Sequence, residues 1–233
     1  MNKTLILVIT EDMQIQNLIT ASLKTHDYRY LTGQNGKTAL MEASTHNPDI
    51  VLIDSELNDM YSKDVIKKIR SWSNLPIIVM GSSDEKEERV TLLDSGADDY
   101  ILKPFYVEEL LARIRVAERH ISFIKKQMVK DEPVFRNGKL IIDYSSGCTY
   151  LGENELYLTP TEYKLLCILS QNVGKVLTRN YLTQKIWGRS WDSDTYSLRV
   201  FIASLRKKLN SEPNTGEYIQ TFTGTGYRMI KIG

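Results

Sequence analysis

The chain has 233 residues, 42% hydrophobic and 25% charged, which excludes a disordered or collagenous protein and leaves room for one large domain or two small ones. Its net charge of +1 hides an uneven division: residues 1–120 hold 14 Lys and Arg against 19 Asp and Glu, and residues 133–233 hold 13 against 8, so the basic half is the one suited to a polyanion. No apolar run reaches the ~18 residues of a membrane span, and Met1-Asn2-Lys3 leads directly into a strand pattern, so the expectation is a cytoplasmic protein without membrane insertion.

Strand-length apolar runs occur at Leu5 to Ile9, Ile50 to Ile53 and Ile77 to Met80, with weaker ones at Tyr28 to Leu31 and Tyr100 to Leu102. Between them lie helical patterns, clearest in Ile15, Leu18, Ile19 and Leu23, spaced three and four apart. Five such units predict an α/β fold, a doubly wound five-stranded parallel sheet covered on both faces. Ligands of these sheets bind outside the C-terminal ends of the strands. Those ends carry Thr10, Glu11 and Asp12; Asp54; Gly81, Ser82 and Ser83; and Lys103, followed by Pro104. Converging carboxylates suit Mg²⁺, which takes hard oxygen ligands. An aspartate nucleophile accepting a phosphoryl group, with Lys103 offsetting its charge, would use such a set. The competing reading is that these acids end strands and cap helices, as Asp12 could cap the first one.

From Ile121 to Glu132 the pattern begins helix-compatible and turns polar, and Pro133 ends it. The expectation is therefore a first domain over residues 1–120, a linker over 121–132 and a second domain over 133–233. Short apolar runs separated by Asn-Gly, Ser-Gly and Gly-Glu-Asn then predict a small antiparallel sheet. Cys148 and Cys167, the only cysteines, lack the spacing of a metal site and fit reduced packing residues better than a disulfide framework. Thr159-Pro160-Thr161-Glu162 reads as a helix start before Tyr163, Leu165, Leu166, Ile168 and Leu169.

In "DTYSLRVFIASLRKKL", Leu198, Ile202, Leu205 and Leu209 form one apolar stripe. The opposite arc of Tyr196, Ser197, Val200, Ala203, Ser204 and Lys207, flanked by Arg206 and Lys208, is suited to the major groove of double-stranded DNA. On this reading Arg206 and Lys207 both contact phosphates. The glycine-bearing "FTGTGYRM" supplies the wing, making the second half an α+β winged helix-turn-helix domain.

"DIVLIDSEL", "LPIIVMGSSDE" and "LDSGADDYILKPFYVEELLARIRV" resemble the receiver domain of bacterial two-component response regulators, in the form found in the OmpR/PhoB family, over roughly Lys3 to His120. "LTPTEYKLLCIL", "GKVLTRNYLTQKIWG", "LRVFIASLRKKL" and "YIQTFTGTGYRM" resemble the effector domain of the same family. Within it, Arg199, Phe201, Ala203 and Thr223 look most like the Kdp-type potassium-response regulators. The resemblance implies a transcription factor phosphorylated on Asp54 by a sensor histidine kinase, with Lys103 on the phosphate, Tyr100 as switch, a cis Lys103-Pro104 bond, and Mg²⁺ held by Glu11, Asp12 and Asp54. It implies a homodimer through the fourth helix, fifth strand and fifth helix, with Arg89–Glu109, Asp99–Arg113 and Asp98–His120 pairs across a two-fold axis. It also implies direct-repeat DNA sites about one helical turn apart, and it admits RNA polymerase as a partner.

The departures from the family pattern are specific. Thr10 stands where the first acid belongs, and Glu11 replaces the metal-ligating aspartate. Gly81 replaces the switch hydroxyl, leaving adjacent Ser82 to follow the phosphoryl group; Asn58 and Ser62 replace a proline and a glycine. Glu11 is one methylene longer than aspartate, which weakens any near-octahedral Mg²⁺ site. Thr223 lacks the charge many relatives carry on the wing, unless Arg228 reaches in. On this reading Gly81→Thr combined with Glu11→Asp strengthens a phosphodonor response. Two rivals follow: a constitutive DNA-binding protein whose first half only dimerises, and a haloacid-dehalogenase-like phosphatase, whose second aspartate is here Glu56.

Overall fold

The structure, a computed structural model, describes residues 3–82, 86–127, 134–188, 192–211 and 217–232, without the side chains of 86, 124–127 and 192–195. Ser83 and Pro133 lie outside the described residues. The chain divides into two compact units, Met1–Ala117 and Glu118–Gly233.

The first unit is built on β1 (Leu5–Ile9), β2 (Arg29–Gly33), β3 (Ile50–Asp54), β4 (Ile77–Gly81) and β5 (Asp99–Leu102), alternating with α1 (Met13–Thr25), α2 (Gly36–His46), α3 (Ser62–Arg70), α4 (Lys86–Asp94) and α5 (Val107–Gln127). All pairings are parallel and the strand order is β2-β1-β3-β4-β5. β3 and β4 are buried at every residue, as a strand covered by helices on both faces must be. The order reverses between β1 and β3, so the crevice of a doubly wound sheet opens where Ile9 and Asp54 end their strands. Asp12 does cap α1: its Oδ1 accepts from the amides of Gln14 at 2.8 Å and Ile15 at 3.1 Å.

The second unit opens with an antiparallel sheet of β6 (Val134–Asn137), β7 (Leu140–Asp143), β8 (Cys148–Leu151) and β9 (Asn154–Glu155). There follow α6 (Pro160–Ser170), β10 (Leu177–Thr178), α7 (Arg179–Trp187), α8 (Asp192–Leu209), β11 (Ile219–Phe222) and β12 (Gly226–Met229). Thr159 caps α6 in a reciprocal capping box with Glu162, and Pro160 takes the first helical position. α6 is buried along its whole length, because α7, α8 and β12 all pack on it. β12 lies between β10 and β11, and the β11–β12 hairpin, with Thr223 and Gly224 at its tip, is the wing. A Cβ on Gly226 would sit 1.9 Å from the Leu177 carbonyl oxygen, so only glycine lets β10 approach β12 this closely.

α5 continues to Gln127, through much of the stretch expected as linker, and the boundary between the units falls within it. His120 is buried, and its Nε2 donates to the Ile186 carbonyl at 2.8 Å, an oxygen that also accepts from Lys164 Nζ at 3.1 Å. Burial, reinforced by the neighbouring Lys164 charge, pushes His120 down to about 3, and burial pushes Lys164 down to about 8. His120 is thus neutral at physiological pH and committed to α7. Among the described residues no helix is long and apolar enough to cross a membrane.

Candidate functional site

Asp54 ends β3 with its carboxylate almost fully buried. Lys103 Nζ donates to both of its oxygens, at 2.8 and 2.9 Å. Thr10 Oγ1 donates to Oδ2 at 2.8 Å, and the Glu56 amide to Oδ1 at 3.2 Å. The strand ends therefore bring Asp54, Lys103 and Thr10 together as the sequence order requires. Thr10 thus places a hydrogen-bond donor beside Asp54 where the family pattern would place a second acid.

The remaining acids point elsewhere. Glu11 accepts from the Asn58 amide at 2.7 Å and from the Asn58 side-chain amide. Asp12 is spent on the α1 cap. Asp59, next to Asn58, accepts from the Gly36 and Lys37 amides, and the Gly36 bond leads in holding its carboxyl below the usual range. Ser62 Oγ donates to the Ser55 carbonyl at 2.7 Å. The loop after β3 is thus stitched by Asn58 to Glu11 just past β1, by Asp59 to α2 and by Ser62 to itself. Sequence reasoning marked Asn58 and Ser62 as departures but missed these roles. Among the described residues no three His, Cys, Asp or Glu side chains are grouped to hold a metal. Asp54 is the one carboxylate of the expected metal set left facing the crevice, and Mg²⁺ there would have to share it with the Lys103 ammonium.

Gly81 ends β4 directly below Tyr100, which is buried. An ideal Cβ on Gly81 would lie 1.7 Å from Tyr100 Oη and 2.1 Å from Cζ. The tyrosine thus occupies the volume a residue 81 side chain would need, and the Arg89 guanidinium lies 5.4 Å from its ring centroid. This revises the expectation for Gly81→Thr, because the new side chain and Tyr100 cannot share the space. Ser82 is exposed beside the strand end. The Lys103-Pro104 bond is cis.

The charges expected across a two-fold axis are engaged within the chain. Arg113 Nη1 donates to both oxygens of Asp99, at 2.8 and 2.7 Å, and Nη2 to Glu109 at 3.0 Å. Asp98 accepts from Arg70 at 2.7 Å and from the Ile77 amide at 2.9 Å. Asp98, Asp99 and Arg113 are all buried. Among the described residues His120 donates to the Ile186 carbonyl and Glu109 accepts from Arg113.

On α8 the apolar stripe of Leu198, Ile202, Leu205 and Leu209 is buried as expected, but Ser197, Val200 and Phe201 are buried too. α8 packs against both α6 and α7, so its inward arc is wider than one stripe. Ser197 and Val200 are accordingly removed from the DNA-facing arc. Arg199, Ala203 and Lys207 are exposed, four residues apart along one line, with Tyr196 and Ser204 half-buried beside them. Arg206 turns inward: Nε and Nη2 donate to the Ile219 carbonyl at 3.0 and 2.7 Å, and Nη2 to Thr221 Oγ1 at 2.7 Å. Lys208 Nζ reaches Glu162 at 2.6 Å and the Tyr157 carbonyl at 3.0 Å. Thr223 is exposed on the wing. Arg228 instead braces the hairpin, donating to Gln220 at 2.6 Å with its guanidinium 4.6 Å from the Phe222 ring centroid.

A doubly wound receiver with an Asp–Lys pair at its strand ends, carried on one chain with a winged helix, defines a two-component response regulator with a DNA-binding output. The model described as "Response regulator receiver domain" matches residues 6–115, and "Transcriptional regulatory protein, C terminal" matches 153–229. The chain belongs to the OmpR/PhoB-type response regulators. It is 36% identical to the transcriptional regulatory protein KdpE of Mycobacterium tuberculosis, over 97% of this chain and 98% of that one. It is 33% identical to the KDP operon transcriptional regulatory protein KdpE of Escherichia coli, over 97% and 99%. Among solved structures, a mutant of RitR superposes with a TM-score of 0.79 at 29% identity, covering 99% of this chain and 100% of that one. A structure titled as one of a family of streptococcal redox sensors evolved from two-component response regulators gives 0.51 at 28% identity, over 99% and 100%. Receiver domains generally bind Mg²⁺ for phosphorylation; the side chains at this strand crevice are committed otherwise.

Proposed function

We propose that this protein binds double-stranded DNA as a homodimer at direct-repeat promoter sites, and that its receiver serves as a dimerisation module without requiring a phosphoryl group on Asp54. The observation that carries the DNA half is the exposed line of Arg199, Ala203 and Lys207 on α8, beside a wing tipped by Thr223. A small residue between two cations lets the helix approach base edges while the cations meet phosphate or guanine. Support for the receiver half comes from Glu11 bound to Asn58, Asp54 bound to Thr10 and Lys103, and Tyr100 already seated over Gly81. A metal held by Glu11 and Asp54 would have to break the Glu11–Asn58 contact and compete with the Thr10 hydroxyl for Asp54, while Tyr100 is already inward without a phosphoryl group.

The second reading, phosphorylation of Asp54 by a sensor histidine kinase, is favoured by the placement of Lys103 on the Asp54 carboxylate and by full-length likeness to KdpE proteins. That likeness also makes a KDP-type operon the first promoter to test and RNA polymerase the next partner. The DNA half is tested by the anisotropy of a labelled duplex titrated with the full chain at several salt concentrations. Arg199→Ala is expected to weaken binding about tenfold or more, either lowering the salt slope by about 0.9 if the contact is to phosphate, or relaxing base preference if it is to guanine. Unchanged affinity, slope and preference would remove α8 from the interface.

A further inference from the structure

The cluster Arg206-Lys207-Lys208 looks uniform in sequence, yet its three cations face three ways. Lys207 is exposed, Arg206 clasps β11, and Lys208 is drawn to Glu162. Glu162 is a carboxylate with 2% exposure in the first turn of the buried helix α6. One oxygen accepts from Ser204 Oγ at 2.7 Å. The other accepts from Lys208 Nζ at 2.6 Å and from the Thr159 amide at 2.8 Å. A buried carboxylate so fully engaged sits at low free energy only in this arrangement, because losing any partner leaves charge stranded in a poor solvent. Ser204 and Lys208 are one turn apart on the same side of α8, so together they fix its rotation about its own axis as well as its distance from α6. Rotation decides which side chains point at a groove.

We propose that Glu162 is the positioning residue of the DNA-reading helix: through Ser204 and Lys208 it sets the rotation that presents Arg199, Ala203 and Lys207, while Arg206 and Lys208 serve inward and make no phosphate contact. This rests on the reading of α8 as the DNA-facing helix. It assigns opposite roles to adjacent lysines, which composition alone cannot do.

The test uses the full chain and two duplexes, one of mixed sequence and one selected by the wild-type protein from a randomised pool. Lys207→Ala is expected to lower the salt slope by about 0.9 on both. Lys208→Met is expected to leave the slope on mixed sequence at the wild-type value and to reduce the preference for the selected duplex about tenfold, the scale of one net charge-assisted hydrogen bond. Glu162→Gln should do the same, since glutamine still completes the capping box but cannot hold the lysine as an ion pair. The double variant should be no worse than either single one. If Lys208→Met lowers the slope as Lys207→Ala does, or if Lys208→Met and Glu162→Gln both keep the wild-type preference, the positioning role is overturned. If Lys207→Ala leaves the slope unchanged, the DNA reading of α8 itself fails, and that result is distinct. Lys208→Met makes no capping contact and so reads the tether even if Glu162→Gln unfolds.

Discussion

Gly81→Thr is expected to expel Tyr100 from the receiver core, lowering the receiver's stability by about 3 kcal/mol. The magnitude follows from overpacking plus the loss of a buried aromatic. A Cβ at 1.7 Å from a hydroxyl oxygen cannot be accommodated by small shifts, and the sheet fixes residue 81 because Lys103 N donates to the Gly81 carbonyl at 2.7 Å. The ring must therefore rotate outward or β4 must move. Urea unfolding followed by near-ultraviolet circular dichroism should show both the lost stability and a changed tyrosine signal, and Tyr100→Ala in the same chain should recover part of the loss. Wild-type stability and spectrum in Gly81→Thr would mean that Tyr100 does not occupy that volume. On the sequence alone this substitution restored a switch; with Tyr100 in place it displaces one.

Arg113→Ala is expected to cost about 3–5 kcal/mol, the range for leaving one member of a buried ion pair uncompensated. Asp99 is 6% exposed and takes both bonds from Arg113 Nη1, so its buried charge would lose its cation and keep the bond from the Tyr100 amide. Replacing both residues by apolar ones of similar volume, Asp99→Leu with Arg113→Met, should recover most of the loss. The readout is the receiver's own unfolding transition at a protein concentration low enough to exclude dimers. If Arg113→Ala leaves that transition in place and changes only the dimer dissociation constant, the pair acts across a two-fold axis as the family resemblance implies.

How much of this was legible depends on what each residue packs against. β1, β3 and β4 were readable because strands buried on both faces are continuous apolar runs. β2 was faint because it is an edge strand with mostly exposed side chains, and β5 because it opens with Asp99, whose burial is made tolerable by an arginine fourteen residues away. The departures at Thr10, Glu11 and Gly81 were visible, but their compensation was not: Asn58 finds Glu11 through loop geometry, and Tyr100 fills the space over Gly81 through a side-chain placement that no periodicity encodes. On α8 the inward stripe was legible, whereas its width was not, because that depends on two helices packing against it. The inward turn of Arg206 and Lys208 was hidden for a related reason. Long cationic side chains can reach either way from the flank of a helix, and only the position of Ile219 and Glu162 decides.

The most direct test of the central claim is the affinity of the full chain for its selected duplex before and after incubation with a small phosphodonor and millimolar Mg²⁺, beside Asp54→Asn, with intact mass read on the same samples. The account predicts no phosphoryl adduct and affinities for all samples equal within about twofold. A single adduct on the wild-type chain, absent from Asp54→Asn and accompanied by about a tenfold or greater gain in affinity, would contradict it and establish Asp54 as a working phosphoacceptor.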